Sequence, residues 1–471
     1  MPNLELFLLL SIAYFSFGMV TVMKFGGSVL GTEKDLQRVA EIIKARNKEK
    51  KVLVVSAIKG VTDSLIAASS FALLKEHSIK EYCEELKRQH IIVLDGIKNP
   101  AIKTNARNLI EEKTIAVEKT LLGVNYLGEI SPKAFDLIQT FGERLSAILV
   151  AAYLNDAGEK SVSIEAHEAG LHTNGAFGKA RAVQKAETGL KNKLMPLLEE
   201  GITIVITGFF GCDEKGEICC FGRGGSDYSA GIIASALNAE KLELWKDVPG
   251  FYSADPKEVK NAIMLKELSY DEAEEIGYFG AKILHPKTIE PVRKKEIPLI
   301  VKNVLTPEID GTIITSKNRQ AKKIIKAISK KTGIAAITLK SAEMVSTPGI
   351  LAKIFDPIAR AGIDVDFVST SETSVSFTID KKEKEKAMAA LNGLGVCFDK
   401  ISIEEDIALL GIIGEGMKET VGVSGKVFSA LGKAGVNVEM ISQGASEINL
   451  SIIIKEKQLN NAINAVHEII E

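Results

Sequence analysis

The 471-residue sequence carries little net charge and few cysteines. Its 59 basic and 61 acidic side chains leave a formal net charge of −2, which excludes a general attraction to nucleic acid or to an anionic membrane. The five cysteines lack the spacing of a secreted disulfide framework and suit a reducing, cytoplasmic setting. Cys212 precedes Cys219 and Cys220 with no histidine near them, so this segment is more typical of a hairpin with free thiols than of a metal cluster.

The apolar run at the N-terminus, residues 6–19, is shorter than the roughly 20 residues that a membrane-spanning helix needs. It also lacks the basic n-region and cleavage site of a signal peptide, because Glu5 is the only early charge. The run continues without a linker into the first β-rich segment. We therefore expect translation to begin at Met19 and residues 1–18 to be a non-native extension, with a membrane anchor as the alternative.

The length and the hydrophobic pattern predict an α/β catalytic region followed by smaller units. A chain of this size holds more than one domain, and 46% hydrophobic with 25% charged residues is ordinary for a soluble globular protein. Short apolar strands between amphipathic helices predict a mainly parallel sheet flanked by helices. The predicted strands are residues 51–56, 202–207 and 241–245, and the predicted helices include residues 36–46 and 135–154, with a Lys/Glu-rich helical excursion over residues 73–120.

A glycine-rich loop, Gly222 to Asp227, follows the apolar run 202–208. Glycine permits the turns that bring backbone N–H groups against an anion, and Arg223 offers a planar fork that fits a carboxylate. Asp227 can position a cation or a metal. The Ala-rich stretch that follows predicts a helix with a positive N-terminus. Alone, the loop is equally typical of a structural turn.

Three other segments carry polar groups suited to phosphate chemistry. Lys24 ends a β-rich segment just before Gly26 and Gly27, unlike a P-loop, whose lysine follows its glycines. Backbone amides and a lysine would here cradle and neutralise phosphate oxygens. Residues 244–257 combine a strand, an acidic residue, a Pro-Gly turn and a tyrosine, and residues 280–286 place a second lysine, Lys282, among small residues.

These segments, with residues 54–62 and 140–146, resemble the aspartate kinases of the amino-acid kinase superfamily in order and spacing. The resemblance runs from about Val20 to the C-terminus. It implies the amino-acid kinase fold and transfer of the ATP γ-phosphoryl group to the β-carboxylate of L-aspartate, with Mg²⁺ as cofactor. The product would be 4-phospho-L-aspartate, the first intermediate of lysine, threonine and methionine biosynthesis.

The resemblance also implies roles for individual residues. Lys24, Asp227 and Lys282 are the expected catalytic groups, in which the two lysines neutralise the moving phosphoryl group and Asp227 orients Lys24 or the Mg²⁺ shell. Substrate binding is expected at Ser56, Thr62, Glu143, Arg223 and Ser226, with Arg223 on the α-carboxylate and Glu143 on the α-ammonium. Nucleotide binding is expected at Lys24, Gly26, Gly27, Ser28, Lys246, Asp247, Tyr252, Lys257 and Lys282.

Three positions depart from the family pattern. After the two glycines the family usually continues Thr-Ser-Val, whereas this chain has Ser28-Val29-Leu30. Lys246 stands where threonine is common, and Lys257 stands where arginine is common. The nucleotide contacts of the two lysines are therefore open.

The C-terminal part contains an internal repeat with an offset of 73 positions. Residues 349–355 recur as 422–428, and residues 361–365 recur as 434–438. Each unit resembles the ferredoxin-like α+β ACT module of regulated amino-acid enzymes. The alternative is a pair of units that serve only in assembly.

The strand count within the repeat predicts an insertion. The first unit closes with a strand near 396–403, whereas the second starts near Ile407 and ends in the helix 456–470, one strand short. An open edge would be a pairing template, and the apolar stretch 324–328 can fill it. We therefore expect a catalytic domain over 19–316 and a regulatory region over 317–471, in which module one (about 333–404) is inserted into module two (about 322–330 plus 405–471).

The modules are expected to bind an amino-acid effector, lysine or threonine, and to pair edge to edge in a homodimer or higher oligomer. The implied effector residues are Ser346, Thr347, Gly349, Ile350, Asp366, Thr370 and Ser371. No dehydrogenase domain follows, which favours the monofunctional form. Two other functions stay open, a sister kinase for another carboxylate and a non-catalytic amino-acid sensor.

Overall fold

The computed structural model describes residues 19–46, 49–279, 283–316, 323–345, 347–392, 398–418, 420–444 and 446–470. These residues form two compact units. The first contains 19–251, 266–270 and 283–316, and the second contains 252–265, 271–279 and the residues from 323 onward.

The division differs from the single boundary expected at residue 316. Segment 252–265 belongs to the second unit, where Ile328 donates its N–H to the Ser253 carbonyl at 2.8 Å. The Ser253 hydroxyl also lies 2.9 Å from Nε2 of His467. These tertiary hydrogen bonds bring a segment from the middle of the sequence to the C-terminal modules.

The first unit is built on an eight-stranded sheet in the order β3-β4-β2-β1-β7-β9-β10-β8. All neighbouring pairs are parallel except β9–β10, so the predicted mainly parallel sheet is confirmed. A separate hairpin, β5–β6, carries the three cysteines of the predicted thiol hairpin. The strands are β1 (Val20–Phe25), β2 (Lys50–Val55), β3 (Ser161–Ile164), β4 (Thr203–Thr207), β5 (Phe210–Cys212), β6 (Ile218–Cys220), β7 (Lys241–Lys246), β8 (Glu267–Ser269), β9 (Leu299–Asn303) and β10 (Thr312–Thr315).

Helices flank this sheet. The first helix begins with a capping box, in which Thr32 and Asp35 each satisfy the other's backbone N–H, and it buries Leu36, Val39 and Ile43 on one face. The helices up to residue 293 are α1 (Glu33–Lys44), α2 (Val61–Ala72), α3 (Glu76–Val93), α4 (Pro100–Leu127), α5 (Pro132–Gln139), α6 (Phe141–Asp156), α7 (Lys185–Glu199), α8 (Gly225–Ala236), α9 (Tyr270–Tyr278) and α10 (Ile289–Arg293). Of these, α9 lies almost wholly in the second unit.

The helix expected over 135–154 is two helices in the structure, because α5 ends at Gln139 and α6 begins at Phe141. Between them, the Thr140 hydroxyl donates to the Leu137 carbonyl at 2.7 Å and caps the end of α5. The stretch Pro132–Asp156 is the one helical region of the described residues with the length and composition to cross a membrane, and 89% of its apolar window is buried inside the fold. Burial to that extent is typical of a core helix.

The second unit contains a six-stranded antiparallel sheet in the order β12-β13-β11-β14-β16-β15. Its strands are β11 (Ala327–Lys340), β12 (Phe367–Thr370), β13 (Ser374–Asp380), β14 (Lys400–Ile413), β15 (Val438–Gln443) and β16 (Asn449–Lys455). Its later helices are α11 (Ile350–Arg360), α12 (Lys384–Asn392), α13 (Val423–Lys433) and α14 (Leu459–His467).

Two 14-residue strands, β11 and β14, run through both halves of this sheet. The first part of β11, 327–331, pairs with 409–413, and its second part pairs with 400–404 and with β13. The register shifts between Lys331 and Ile334, where Gly333 has a φ of 70°. The separate strands expected near 396–403 and from Ile407 are therefore one strand, because the bulge lets pairing continue across both repeats.

Candidate active site

Three of the sequence motifs meet around Ala57, in the turn that follows β2. A Cβ on Gly27 would overlap the Ala57 carbonyl oxygen, and a Cβ on Gly142 would lie 2.5 Å from the Ala57 side chain. Only glycine fits at contacts this close. Backbone bonds complete the junction, since Ser56 donates to Phe25 at 3.2 Å and Lys59 donates to Gly27 at 3.1 Å. The end of β1, the turn after β2 and the start of α6 thus form one surface.

Three charges, of which Lys24 and Asp227 are buried and Lys246 is partly buried, lie together at the carboxyl ends of β1 and β7. The Lys24 ammonium is 2.5 Å from Oδ1 of Asp227, and the Lys246 ammonium is 3.1 Å from Oδ2 of the same carboxylate. Lys24 is the penultimate residue of β1, Lys246 is the last residue of β7, and Asp227 lies in the first turn of α8. The group carries a net positive charge of one, which suits an anionic ligand.

The pKa values in this group follow from burial and proximity. Burial lowers the pKa of Lys24 below its usual value, and the Asp227 carboxylate opposes that shift. Burial by itself would raise the pKa of Asp227, but the two lysines outweigh it and hold that pKa well below its ordinary value. Asp227 is therefore an anion at every physiological pH, and it stabilises the charge on Lys24.

Glu143 is a buried carboxylate without a countercharge of its own. Its side chain is in the first turn of α6 and only 3% of the residue is exposed. Oε2 accepts no hydrogen bond from any of the described residues. Burial raises the pKa of Glu143 to about 8, although the Ala57 backbone, Lys24 and Ser226 oppose the shift. An unpartnered buried acceptor of this kind fits a ligand's ammonium group.

The turn after β1 supplies backbone donors, but fewer than expected. The Gly26 N–H donates to the Trp245 carbonyl at 3.2 Å and so belongs to the sheet. Among the described residues, no carbonyl accepts from the N–H of Gly27 or of Ser28, the first two residues of a short 3-10 turn. The amides available for a phosphate are therefore those of Gly27 and Ser28.

The glycine-rich loop leads into α8. Arg223 is exposed and has no carboxylate partner within the described part of the chain, so its guanidinium is available to a ligand. Gly224 has a φ of 72°, and a Cβ there would overlap the His285 ring. Ser226 is buried at the second position of α8, against Gly208 at the end of β4.

His285 was not selected from the sequence, although it stands three residues after Lys282 in a motif that was. Burial lowers the pKa of His285, so the imidazole is neutral at physiological pH. Its ring packs against the loop that carries Arg223.

The remaining expected residues fall into three groups. Ser56 and Thr62 are partly buried around the Ala57 turn, and Asp247 is exposed just after β7. Tyr252 and Lys257 belong to the second unit, where Tyr252 forms a bridge with Met264 and Lys257 is exposed. Lys282 and Ser346 lie outside the described residues.

In the second unit, the expected effector residues lie at one end of the first repeat. Gly349 caps α11 with a φ of 81°, and Ile350 begins that helix. Thr370 ends β12, and the Ser371 N–H donates to the Ser374 carbonyl at 2.8 Å. Thr347 donates its N–H to the Met344 carbonyl at 3.3 Å.

Asp366 already has two partners in this structure. Lys331 lies 2.6 Å from Oδ2, and the Tyr278 hydroxyl donates to Oδ1 at 3.1 Å. The Lys331 ammonium also lies 5.9 Å from the centre of the Tyr278 ring. An effector ammonium at Asp366 would have to displace at least one of these groups.

Comparison with known proteins gives consistent matches over nearly the whole chain. Residues 19–303 match the amino acid kinase family, and residues 337–393 and 410–469 match the ACT domain. The chain is 33% identical over 463 residues to aspartokinase 1, chloroplastic, of Arabidopsis thaliana, which covers 96% of this chain and 80% of that protein.

Two solved structures of E. coli aspartokinase III are similar at 28% identity. The complex with aspartate and ADP (R-state) has a TM-score of 0.81 and covers 95% of this chain and 99% of that one. The complex with lysine and aspartate (T-state) has a TM-score of 0.80 and covers 96% and 99%.

Proposed function

The chain belongs to the aspartokinases of the amino acid kinase family and is an aspartate kinase, and we propose that Lys24, Asp227, Lys246, Glu143 and Arg223 form the centre of its active site. The reaction transfers the γ-phosphoryl group of ATP to the β-carboxylate of L-aspartate, giving 4-phospho-L-aspartate. In it, the O–P bond to the β-phosphate breaks and an acyl-phosphate O–P bond forms, and ADP leaves.

The observation that carries the assignment is that a buried carboxyl group and a positively charged group lie side by side. Glu143 has an oxygen without a hydrogen-bond partner among the described residues, and the Lys24–Asp227–Lys246 group beside it has a net positive charge of one. Lys24 and Ser226 both act on the ionisation of Glu143, so the two parts are close in space. A zwitterionic amino acid and a phosphate together would satisfy both.

We assign substrate recognition to Glu143 and Arg223. Glu143 takes the α-ammonium, because its Oε2 accepts no hydrogen bond from the described residues and an ammonium would supply one. Arg223 takes the α-carboxylate, since a planar guanidinium can donate two parallel hydrogen bonds. Ser56, Thr62 and Ser226 lie around the same turn and support the substrate. The β-carboxylate is left to face the phosphoryl group.

The chemical step needs charge stabilisation rather than a base. A carboxylate is already a nucleophile, so the protein must hold two anions together and neutralise the charge on the transferred group. Lys24 is prepared for this task because the Asp227 carboxylate, 2.5 Å away, favours its charged form and opposes the effect of burial on its pKa. The free amides of Gly27 and Ser28 add donors for the phosphate oxygens.

Lys246, which stands where threonine is common in the family, forms an ion pair with Asp227. Its ammonium shares the Asp227 carboxylate with Lys24, and its charge contributes to lowering the pKa of Lys24. We assign Lys246 to the nucleotide phosphates as a second cation. For Asp247, Tyr252, Lys257 and Lys282, nucleotide binding stays a prediction from the resemblance.

The Mg²⁺ that accompanies ATP would be held mainly by the phosphates. Mg²⁺ commonly binds one or two carboxylates together with phosphate oxygens and water. The described residues contain no group of three or more His, Cys, Asp or Glu side chains suited to a metal, and Asp227 is neutralised by two lysines. The exposed carboxylate of Asp247 is the residue that fits this role. When bound, the ion neutralises charge on the β- and γ-phosphates.

The C-terminal unit is proposed as a regulatory pair of ACT modules that binds lysine or threonine. The pairing of 327–331 with 409–413 supports insertion of module one into module two. β12 and β15 are the edge strands of the six-stranded sheet, and we assign the edge-to-edge pairing of a homodimer to this sheet. Chloroplastic proteins are among the relatives, so a cytoplasmic location stays a prediction.

The activity is tested by following ADP release with Mg²⁺–ATP and L-aspartate, and by trapping the acyl phosphate with hydroxylamine. The expected result is aspartate-dependent ADP release with an equal yield of hydroxamate. L-Glutamate and N-acetyl-L-glutamate serve as controls for a sister kinase. A higher kcat/KM with either control, or ADP release without hydroxamate, would contradict the proposed reaction.

A further inference from the structure

A buried carboxylate outside the proposed active site, Asp136, connects three backbone segments. It lies in α5, and only 1% of the residue is exposed. Its Oδ2 accepts the N–H of Gly178 at 2.8 Å and the N–H of Cys220 at 2.7 Å. The Cys220 thiol also donates to the Asp136 carbonyl at 3.3 Å. The residue contacts neither Lys24 nor Glu143 through any described hydrogen bond.

The two N–H groups that Asp136 accepts belong to segments that meet again at Gly222. A Cβ on Gly222, which has a φ of 75°, would lie 2.7 Å from the Gly178 carbonyl oxygen. The Ala180 N–H donates to the Cys220 carbonyl at 3.0 Å, so Cys220 is held on both sides. The Arg223 loop begins at Gly222, which packs against Gly178 and follows Cys220 in the chain. By binding both Gly178 and Cys220, Asp136 fixes the backbone where this loop begins.

Within the described part of the chain, no cation lies among the hydrogen-bond partners of Asp136. Burial raises its pKa, and the two backbone N–H groups oppose the shift. Burying a carboxyl group on two amides alone has a free-energy cost that an apolar residue would avoid. Residues that are buried at such a free-energy cost are typically kept because they hold a functional part of the backbone in place.

We propose that Asp136 is a positioning residue for aspartate binding, which acts through Arg223 by fixing the start of its loop. This inference rests on the proposed role of Arg223. Without the Asp136 carboxylate, which accepts from both, Cys220 at the end of β6 and Gly178 would separate. The Arg223 guanidinium would then no longer be positioned to bind the α-carboxylate. Since the charged groups Lys24, Lys246 and Asp227 lie on β1, β7 and α8, the KM for ATP should not respond.

The test compares Asp136→Leu, which removes both acceptor oxygens, with Asp136→Asn, whose amide oxygen can accept both N–H groups. We expect Asp136→Leu to raise the KM for aspartate about tenfold or more, as the loss of a charge-assisted hydrogen bond does. The KM for ATP should stay within about twofold. Asp136→Asn should restore the aspartate KM to within a few-fold of the wild-type value.

The β5–β6 hairpin, whose Cys220 donates to Asp136, also contains an aspartate that serves as a matched control. Asp213 lies at its other end, where Oδ1 accepts the N–H groups of Lys215 and Glu217 at 2.9 and 2.8 Å. Asp213→Leu should leave the aspartate KM unchanged. If Asp136→Leu only lowers the melting temperature and alters KM no more than Asp213→Leu does, Asp136 is structural and the inference is wrong.

A double variant separates this inference from the role of Arg223. Asp136→Leu should have no further effect on the aspartate KM when it is combined with Arg223→Lys, because both changes remove the same contact. Additive effects would show that Asp136 acts by another route. If Arg223→Lys alone leaves the aspartate KM unchanged, it is the proposed role of Arg223 that fails.

Discussion

The Lys24 ammonium and the Asp227 carboxylate form a buried ion pair with 2.5 Å between Nζ and Oδ1. The pair joins the end of β1 to the first turn of α8, so Lys24, which we propose faces the phosphates, is held by the same helix that follows the Arg223 loop. A lysine kept charged in a buried site is preorganised for a developing negative charge.

Replacing Lys24 by methionine should lower kcat by about 100-fold or more, because a preorganised charge is lost from the transition state. Steady-state kinetics with saturating ATP and aspartate measure the effect, and circular dichroism checks the fold. Lys51→Met is the matched control, since Lys51 is a buried lysine on the neighbouring strand with an ion pair to Glu159 at 2.6 Å. Near-normal turnover of Lys24→Met, or an equal loss in the control, would remove Lys24 from the phosphoryl site.

Aspartate binding at pH 7 should release a proton from Glu143. Without ligand the pKa of Glu143 is about 8, so the carboxyl group is mainly protonated at pH 7. A bound ammonium favours the ionised form and lowers that pKa. Isothermal titration calorimetry in buffers of different ionisation enthalpy measures the release, which should be absent in Glu143→Gln. A wild-type protein that binds aspartate without proton release would contradict the assignment.

The same carboxyl group should make folding stability depend on pH. In the unfolded chain Glu143 has its ordinary pKa of 4.5, whereas in the folded protein it is raised to about 8. The folded state therefore holds the extra proton between these values, and the free energy of unfolding falls as pH rises through that interval. Urea unfolding at several pH values should show a smaller decline for Glu143→Gln. An identical decline in both proteins would show that Glu143 is not the group responsible.

Changing Arg223 to lysine should raise the KM for aspartate about tenfold or more, because an ammonium cannot make the bidentate contact with a carboxylate. The KM for ATP should hardly change. Arg181→Lys, at an exposed arginine on a neighbouring loop, is the control. If instead the ATP constant rises and the aspartate constant is unaffected, Arg223 belongs to the nucleotide site.

Two substitutions around Asp366 should change effector inhibition in opposite directions. Asp366→Ala should abolish inhibition by lysine or threonine with turnover almost unchanged, and Asp364→Ala, at an exposed carboxylate nearby, should not. Lys331→Ala should lower the concentration of effector needed for half inhibition, because Lys331 competes for the same carboxylate. Inhibition curves for the four proteins give the answer. A wild-type enzyme indifferent to both amino acids would make the modules assembly elements.

Local sequence pattern was sufficient for central strands of the sheet in the first unit. The expected strands 51–56, 202–207 and 241–245 agree with β2, β4 and β7 to within a residue at each end, because buried parallel strands are short apolar runs. The break between α5 and α6 was not expected, since it depends on a hydrogen bond of Thr140.

Features that depend on long-range contacts could not be predicted. No local pattern shows that residues 252–265 join the C-terminal unit, because the Ser253–His467 hydrogen bond links residues far apart in sequence. Within the site, the ion pair of Lys24 with Asp227 was expected from the motifs. The second ion pair, between Lys246 and Asp227, was not. Asp136 had no signal beyond a charge within an apolar helix.

The continuous strands β11 and β14 limit how the regulatory region can be rearranged. Each strand serves both repeats, so a cut between the repeats would sever two strands of the sheet at once. A chimera that exchanges one repeat with a relative would have to rejoin β11 at Gly333 and β14 near residue 406 in matching register. The two repeats are therefore best exchanged together. Effector specificity is more readily altered by substitutions within the regulatory region, or by exchange of the whole region, than by exchange of one repeat.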